Sequence, residues 1–352
     1  MPILEARHEL AHPVEGDTAW SESYYFNAYD PGTDSGFFSR IGIRPNEGTM
    51  DVAVSVWLPD GRLAEYRSVK EQHEMVDTAL AVGGARYEML AALKSWRLTL
   101  DDDAPVRPCT TGAPATGALV TGASTGPSDE SDRVHLALDV RFDAVTPAIG
   151  TDGQRDAKGR ASKPKTAEAV AAAGTVGKGH FEQAGRWSGW LEVDGVRHEW
   201  HDAHGNRDKS WGPRRWGGPK MWRWFSINVG DDLHFGGIRL GTEAGDLHRG
   251  WVWDGDTATS VAEWRVRTEL AEDALTHKVV HLQVLDKRGR TFDLRGDVLR
   301  VAGTRQVSGT VVNEGLARWT YEDPSGAART GYGISEYLHQ TDDSGRPVVP
   351  VE

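Results

Sequence analysis

The chain has 352 residues, 38% hydrophobic and 26% charged, with a formal net charge of -12. That is the balance of a globular protein long enough for two domains of ordinary size. The acidic excess argues against a nucleic-acid partner, which needs a basic face to neutralise phosphates.

The dominant period along the chain is two. A first strand is expected near Glu22–Tyr29, followed by Ser35–Arg44 and then Thr49–Leu58, where Met50, Val52, Val54, Val56 and Leu58 alternate with smaller or polar residues. Pro59-Asp60-Gly61 ends that strand as a turn. Further strands are expected at Leu63–Glu71, Arg86–Leu100, Arg133–Val145, His180–Val193 and Val196–His204, about eight before Gly217. Two stretches break the pattern. Ala104–Asp132 is rich in Ala, Gly, Thr, Ser and Pro and reads as a mobile surface loop. Thr151–Gly179 contains the Ala-rich run Thr166–Gly174, either a short helix serving as a lid or an insertion without order.

After Gly217 the pattern restarts, with strands expected at Met221–Val229, Leu233–Leu240, Asp246–Trp253, Ala258–Leu270, His277–Leu285, Thr291–Val301, Gln306–Tyr321 and Arg329–His339. Eight antiparallel strands at regular spacing favour a closed up-and-down barrel, which removes exposed edges and can hold one small ligand. The expected architecture is all-β, with two tandem barrels over residues 1–216 and 217–352, and a single large sandwich as the rival. Met1–Asp17 lacks the apolar core of a signal peptide, and no run nears the roughly 18 apolar residues that span a bilayer. The lone cysteine, Cys109, excludes an intramolecular disulfide. A cytoplasmic protein without stable membrane insertion is expected, with peripheral contact at a membrane surface left open.

The densest chemistry lies in His204–Arg214, which packs Asp208, three cations (Arg207, Lys209, Arg214), His204 and Trp211 between glycines. Ten of the 14 tryptophans fall between Trp187 and Trp264. Asp208 beside an aromatic wall has the makings of a general acid, its pKa pushed up by burial. The alternative is architectural, with Arg207, Asp208 and Arg214 forming an ion-pair knot at the junction of the barrels. On a strand, His180, Glu182, Ala184 and Arg186 share one face and Phe181, Gln183, Gly185 and Trp187 the other. An inward His180 and Glu182 make a polar patch in a cavity; outward they are solvated residues. Trp222 and Trp224 share a face, as do Trp251 and Trp253; each pair is either packed core or the wall of a pocket for an apolar or cationic ligand.

Other motifs carry less. His198, Trp200, Asp202 and His204 share a strand face, but ~20 Å separates the two end histidines, so a metal site is not expected. Gly122–Gly126 matches Gly-x-Ser-x-Gly without the strand–turn–helix a nucleophile elbow requires. Gly174–Gly179 lacks the glycine spacing and Ser/Thr of a phosphate loop.

Trp20–Phe26, the strand running to Trp57–Gly61, the His180–Gly185 segment and Arg207-Asp208-Lys209-Ser210-Trp211-Gly212 resemble the carotenoid 1,2-hydratase (hydroxyneurosporene synthase)-like family. The resemblance follows nearly the whole chain in order, and Asp-x-Ser-Trp-Gly is its most specific part. It implies two lipocalin-like barrels and no cofactor. The implied reaction is a hydro-lyase one, water addition to or removal from a C=C bond of a hydrophobic isoprenoid or phenolic molecule, or else isomerisation or cyclisation. Asp208 matches the family's proton donor and His180 the partner that positions or deprotonates water, with Trp211 walling the site. Trp187, Trp222, Trp224, His204 and Arg207 are the further candidates for substrate contact. Lys209 departs from the pattern, since relatives often carry His after the motif Asp. The rival from another class is a non-catalytic carrier, because lipocalin-like barrels serve both roles.

Overall fold

In the computed structural model, which describes residues 3–109, 132–152, 177–215, 218–242, 245–305 and 309–352, the period-two pattern resolves into antiparallel strands. The first four, β1 (Trp20–Asp30), β2 (Ser35–Arg44), β3 (Thr49–Trp57) and β4 (Arg62–Glu71), form a meander of hairpins. A hairpin of β5 (Ala79–Val82) and β6 (Ala85–Ala91) leads into β7 (Ser95–Pro108), then β8 (Arg133–Ala144) and the short β9 (Ile149–Thr151). Two long strands follow, β10 (Gly179–Val193) and β11 (Val196–Pro213). β11 pairs back onto β1, and the end of β7 pairs with β4 at Arg62–Ala64. The path β1-β2-β3-β4-β7-β8-β10-β11 therefore closes on itself as an eight-stranded barrel.

The second half is a closed barrel in simple chain order: β12 (Met221–Val229), β13 (Leu233–Thr242), β14 (Gly245–Trp253), β15 (Ala258–Leu270), β16 (His277–Asp286), β17 (Thr291–Arg305), β18 (Thr310–Glu322) and β19 (Ala328–Gln340). β19 closes it against β12. The described residues fall into two compact units, residues 3–108 with 132–215, and Cys109 with the described residues of 218–352. The fold is thus tandem lipocalin-like barrels rather than one sandwich.

Each barrel has its own core. In the first, Tyr24, Phe26, Phe37, Tyr87, Trp96, Phe142, Trp187 and Trp200 pack with Val and Leu from the surrounding strands. Trp187 is fully buried and meets Phe26, Phe37 and Phe142 edge-on at 5.2–5.9 Å between ring centroids, a favoured geometry for aromatic pairs. In the second, Phe225 and Ile227 alternate inward on β12 and pack with Trp264 and Trp319.

Several expectations need correction. Arg86–Leu100 is not one strand: β6 and β7 are separated by a tight turn whose Leu93 adopts a left-handed φ of 57°. Ala104–Pro108, expected in a loop, completes β7, where Ala104 pairs with Val134. β11 runs on through His204–Pro213. It also holds an extra residue between Trp200, opposite Gly189, and Ala203, opposite Trp187. Such a bulge reverses the strand's parity. Trp200 accordingly packs in the core while His204 lies on the opposite face, so the two do not share a side as simple alternation implied. The Gly-x-Ser-x-Gly match, the Thr166–Gly174 run and the 216–217 boundary lie outside the described residues. Among the described residues no helix is long and apolar enough to cross a membrane.

Candidate functional site

The His204–Arg214 stretch is built on β11 between β10 and β1, so strand parity sorts its side chains onto two faces. Odd positions point into the barrel. The Arg207 guanidinium, fully buried, donates to both oxygens of Glu9 at 2.8 and 2.5 Å and, through Nε, to Gln183 Oε1 at 2.9 Å. Lys209 Nζ donates to Glu22 Oε1 at 2.7 Å and to the backbone oxygens of Glu9 and Leu10 at 2.7 and 2.8 Å. Trp211 stacks on His12 at 3.7 Å, and the His12 backbone N–H donates to Glu22 at 3.0 Å. Burial works to raise the Glu9 and Glu22 pKa values, but the nearby cations, with His12 at Glu22, outweigh it and hold both carboxyls below their ordinary range. Burial dominates at Lys209 and lowers its pKa.

This cage holds the segment around Glu9–His12 against the barrel interior. It also stabilises the unexpected turn: the Leu93 N–H donates to Glu9 Oε2 at 2.8 Å, and Gln183 Nε2 donates to the Leu93 carbonyl at 3.0 Å. Arg207, Trp211 and Trp187, expected to touch substrate, therefore belong to the interior and do not share a face with Asp208. An Arg207–Asp208–Arg214 knot is also ruled out by parity, because Arg207 points away from Asp208.

Even positions form a polar face on the barrel's other side. His180 Nε2 lies 3.8 Å from Asp208 Oδ2 and 3.8 Å from Glu182 Oε1. These three sit on adjacent strands, with Asp208 opposite Glu182 on β10 and opposite Tyr25 on β1. Ser210 Oγ is 3.0 Å from Ser23 Oγ, and Arg214 Nη1 donates to Ser210 at 3.2 Å. The His180 imidazole is surrounded by protein yet keeps 38% of its side-chain surface open, against 6% for Glu182. Burial lowers its pKa, but the carboxylates of Asp208 and Glu182 outweigh that and raise it above the ordinary histidine value. His180 and Glu182 are thus neither in a barrel cavity nor solvated in the ordinary way. They belong to a half-buried polar face opposite the core.

Arg40, Arg44 and Asp51 extend this face across β2 and β3. Asp51 accepts from Arg40 Nη1 at 2.8 Å and from Arg44 Nη1 at 2.5 Å. Sequence reasoning missed these residues, and also Glu9, Glu22 and Gln183. Their one visible signal is a charged or amide side chain within an otherwise apolar alternation. His204 lies on the same face as Asp208 but pairs with Arg186. Trp222 and Trp224 belong to the other unit, on the face of β12 opposite Phe225 and Ile227, where Trp222 Nε1 donates to Glu336 at 2.5 Å. The structure thus brings Asp208 and His180 together on one face of β10 and β11, with Trp187 and Trp211 on the other face of the same strands, while Trp222 and Trp224 belong to the second unit. Among the described residues no cluster of three or more His, Cys, Asp or Glu is arranged to hold a metal ion.

No curated protein matches the sequence. Among solved structures, the fold is similar to kievitone hydratase from Nectria haematococca, with 12% identity and a TM-score of 0.56 over 90% of this chain and 88% of that one. It is similar to CghA, with 11% identity and a TM-score of 0.57 over 94% and 93%. A putative AttH from Nitrosomonas europaea shows 12% identity and a TM-score of 0.56 over 95% and 98%. The likeness is one of fold, and it agrees with the architecture expected from the carotenoid 1,2-hydratase-like resemblance. The family model described as "Domain of unknown function (DUF7064)" matches residues 5–341, and the chain belongs to that family.

Proposed function

We propose that the protein is a cofactor-independent hydratase or dehydratase acting on a C=C bond of a hydrophobic isoprenoid or phenolic molecule, with Asp208 and His180 as its catalytic pair. The observation that carries this reading is His180 Nε2 at 3.8 Å from both the Asp208 and Glu182 carboxylates, on a polar face where its ring stays open. The distance is longer than a hydrogen bond, as is common for catalytic pairs before substrate closes them. Asp208 and Glu182 raise the His180 pKa and so favour a proton on its ring. In the hydration direction that proton passes from His180 through Asp208 to one alkene carbon. Water attacks the resulting cationic carbon and gives up a proton to His180, which restores the starting state. Dehydration is the reverse sequence. Tyr25, beside Asp208 across the β1–β11 ladder, offers an aromatic neighbour to the cation.

The likeness in fold to a hydratase supports the reading, and the filled interior of the first barrel speaks against a simple carrier. An isomerase or cyclase would use the same pair, returning the proton from a different carbon. Incubation with isoprenoid and phenolic alkenes in heavy-oxygen water, read by mass spectrometry, separates these cases. Label should enter the product, and Asp208→Asn should lower the rate by roughly 10²–10⁴. Full activity in Asp208→Asn would sink the assignment. A rearranged product without label would move it to isomerisation.

A further inference from the structure

Arg40 stands on the same face as the catalytic pair, in the lateral row Arg40–Tyr25–Asp208–Glu182. Asp51 takes only its Nη1, while Nε and Nη2 have no hydrogen-bond partner among the described residues. Leaving two buried donors unpaired is costly, and a bound oxygen acceptor would remove that cost. The neighbouring sequence makes room for this arrangement. A Cβ at Gly42 would collide with the Arg40 guanidinium, so the glycine lets the side chain lie over β2. That places it in the row Gly42–Ser23–Ser210–His180. Two strand spacings, roughly 10 Å, separate this position from the Ser210 backbone, next to Asp208 on the same face of β11. Burial lowers the Arg40 pKa to about 10, so the group stays cationic at neutral pH.

We propose that Arg40 is a substrate-positioning residue that binds an anionic oxygen of the substrate, so that the molecule taken by this site is an alkene bearing a carboxylate or comparable oxygen acid a few bonds from the reacting carbons, not a pure hydrocarbon. Asp51, itself bonded by Arg44, fixes the guanidinium through Nη1, and the remaining Nε and Nη2 present a fork that suits a carboxylate. This rests on the reading of Asp208 and His180 as the catalytic pair, but its test does not depend on turnover.

Binding is measured by tryptophan fluorescence for geranate, geraniol and geranylamine, three probes with one alkenyl chain and an anionic, neutral or cationic head. Geranate should bind about 10- to 100-fold more tightly than geraniol, the worth of hydrogen bonds to a charged group, and geranylamine most weakly. Arg40→Met should collapse the order. Gly42→Ala, which displaces the guanidinium while keeping it, should do the same, and Arg40→Lys should retain part of the preference. Asp208→Asn should bind in the wild-type order even where turnover is lost, which separates failure of this proposal from failure of the catalytic assignment. Equal binding of the three probes, binding of none, or a preference that survives Arg40→Met with native circular dichroism overturns it.

Discussion

Replacing Arg207 with Met tests whether the charged half of the motif is structural. Arg207 and Glu9 each have 0% side-chain exposure and meet through two hydrogen bonds of 2.8 and 2.5 Å. Met keeps much of the volume but leaves the Glu9 carboxylate buried without its main counter-charge. Removing one partner of such a pair costs about 3–5 kcal/mol, a large share of the 5–15 kcal/mol typical of a folded domain. Glu9→Gln in the same background removes the orphaned charge. The double variant should therefore recover at least about 1.5 kcal/mol relative to the sum of the single losses. Denaturant unfolding followed by tryptophan fluorescence supplies the numbers. Because Arg207 points away from Asp208, kcat/KM of the folded single variant should stay within about threefold of wild type. A single-variant loss below about 1 kcal/mol, strict additivity in the cycle, or a large KM effect in a fully folded variant would refute the reasoning.

Three further outcomes are expected. Because the folded pKa of His180 is raised by Asp208 and Glu182, hydration should fail as pH rises through that raised value, and Glu182→Gln should move this limb toward lower pH; a pH–rate profile with no such shift contradicts the charge coupling. In the second barrel, burial pushes His277 and His339 down to about 3, so the unfolded chain binds more protons than the native state between that value and about 6.5, and stability falls as pH drops through this window, by up to about 1.4 kcal/mol per pH unit for each histidine. Neither ring nitrogen of His339 has a hydrogen-bond partner among the described residues, so His339→Leu should be tolerated near pH 7 and flatten the acid slope of the melting temperature; an unchanged slope counts against it. Trp187→Ala should cost about 3–5 kcal/mol by emptying the aromatic core, with KM unaltered in the protein that remains folded, and a selective rise in KM would return Trp187 to the substrate site.

How much was legible can be judged element by element. In the second barrel, Met221–Val229 and Ala258–Leu270 were readable to the residue because Pro, Gly and Asp turn residues bound them, although Met221–Val229 is buried on both faces. Other strand ends shifted by a residue or more: Leu233 runs on to Thr242, and Thr291 to Arg305. The β6–β7 turn was invisible because it carries no Gly or Pro. Leu93 takes its left-handed backbone only because Glu9 and Gln183, 84 and 90 residues away, grip its N–H and carbonyl.

The sequence by itself determined that the chain is all-β, where most strands run, and that Asp208 and His180 are the acid–base candidates, since alternation, turn chemistry and the Asp-x-Ser-Trp-Gly motif are local signals. Only the tertiary structure decided which face of β10 and β11 is the inside. Alternation states that two faces differ; it does not say which is the core when one carries Arg207 and Lys209 with Trp211 and the other Asp208 with Ser210. The usual rule would turn the cations outward. Glu9 and Glu22 reverse it by supplying buried counter-charges from the far end of the chain, and the bulge near Trp200 then flips the parity that local reading assumed. The pairing of charges across nearly 200 residues is a property of closure, because β11 meets β1 only when the barrel forms.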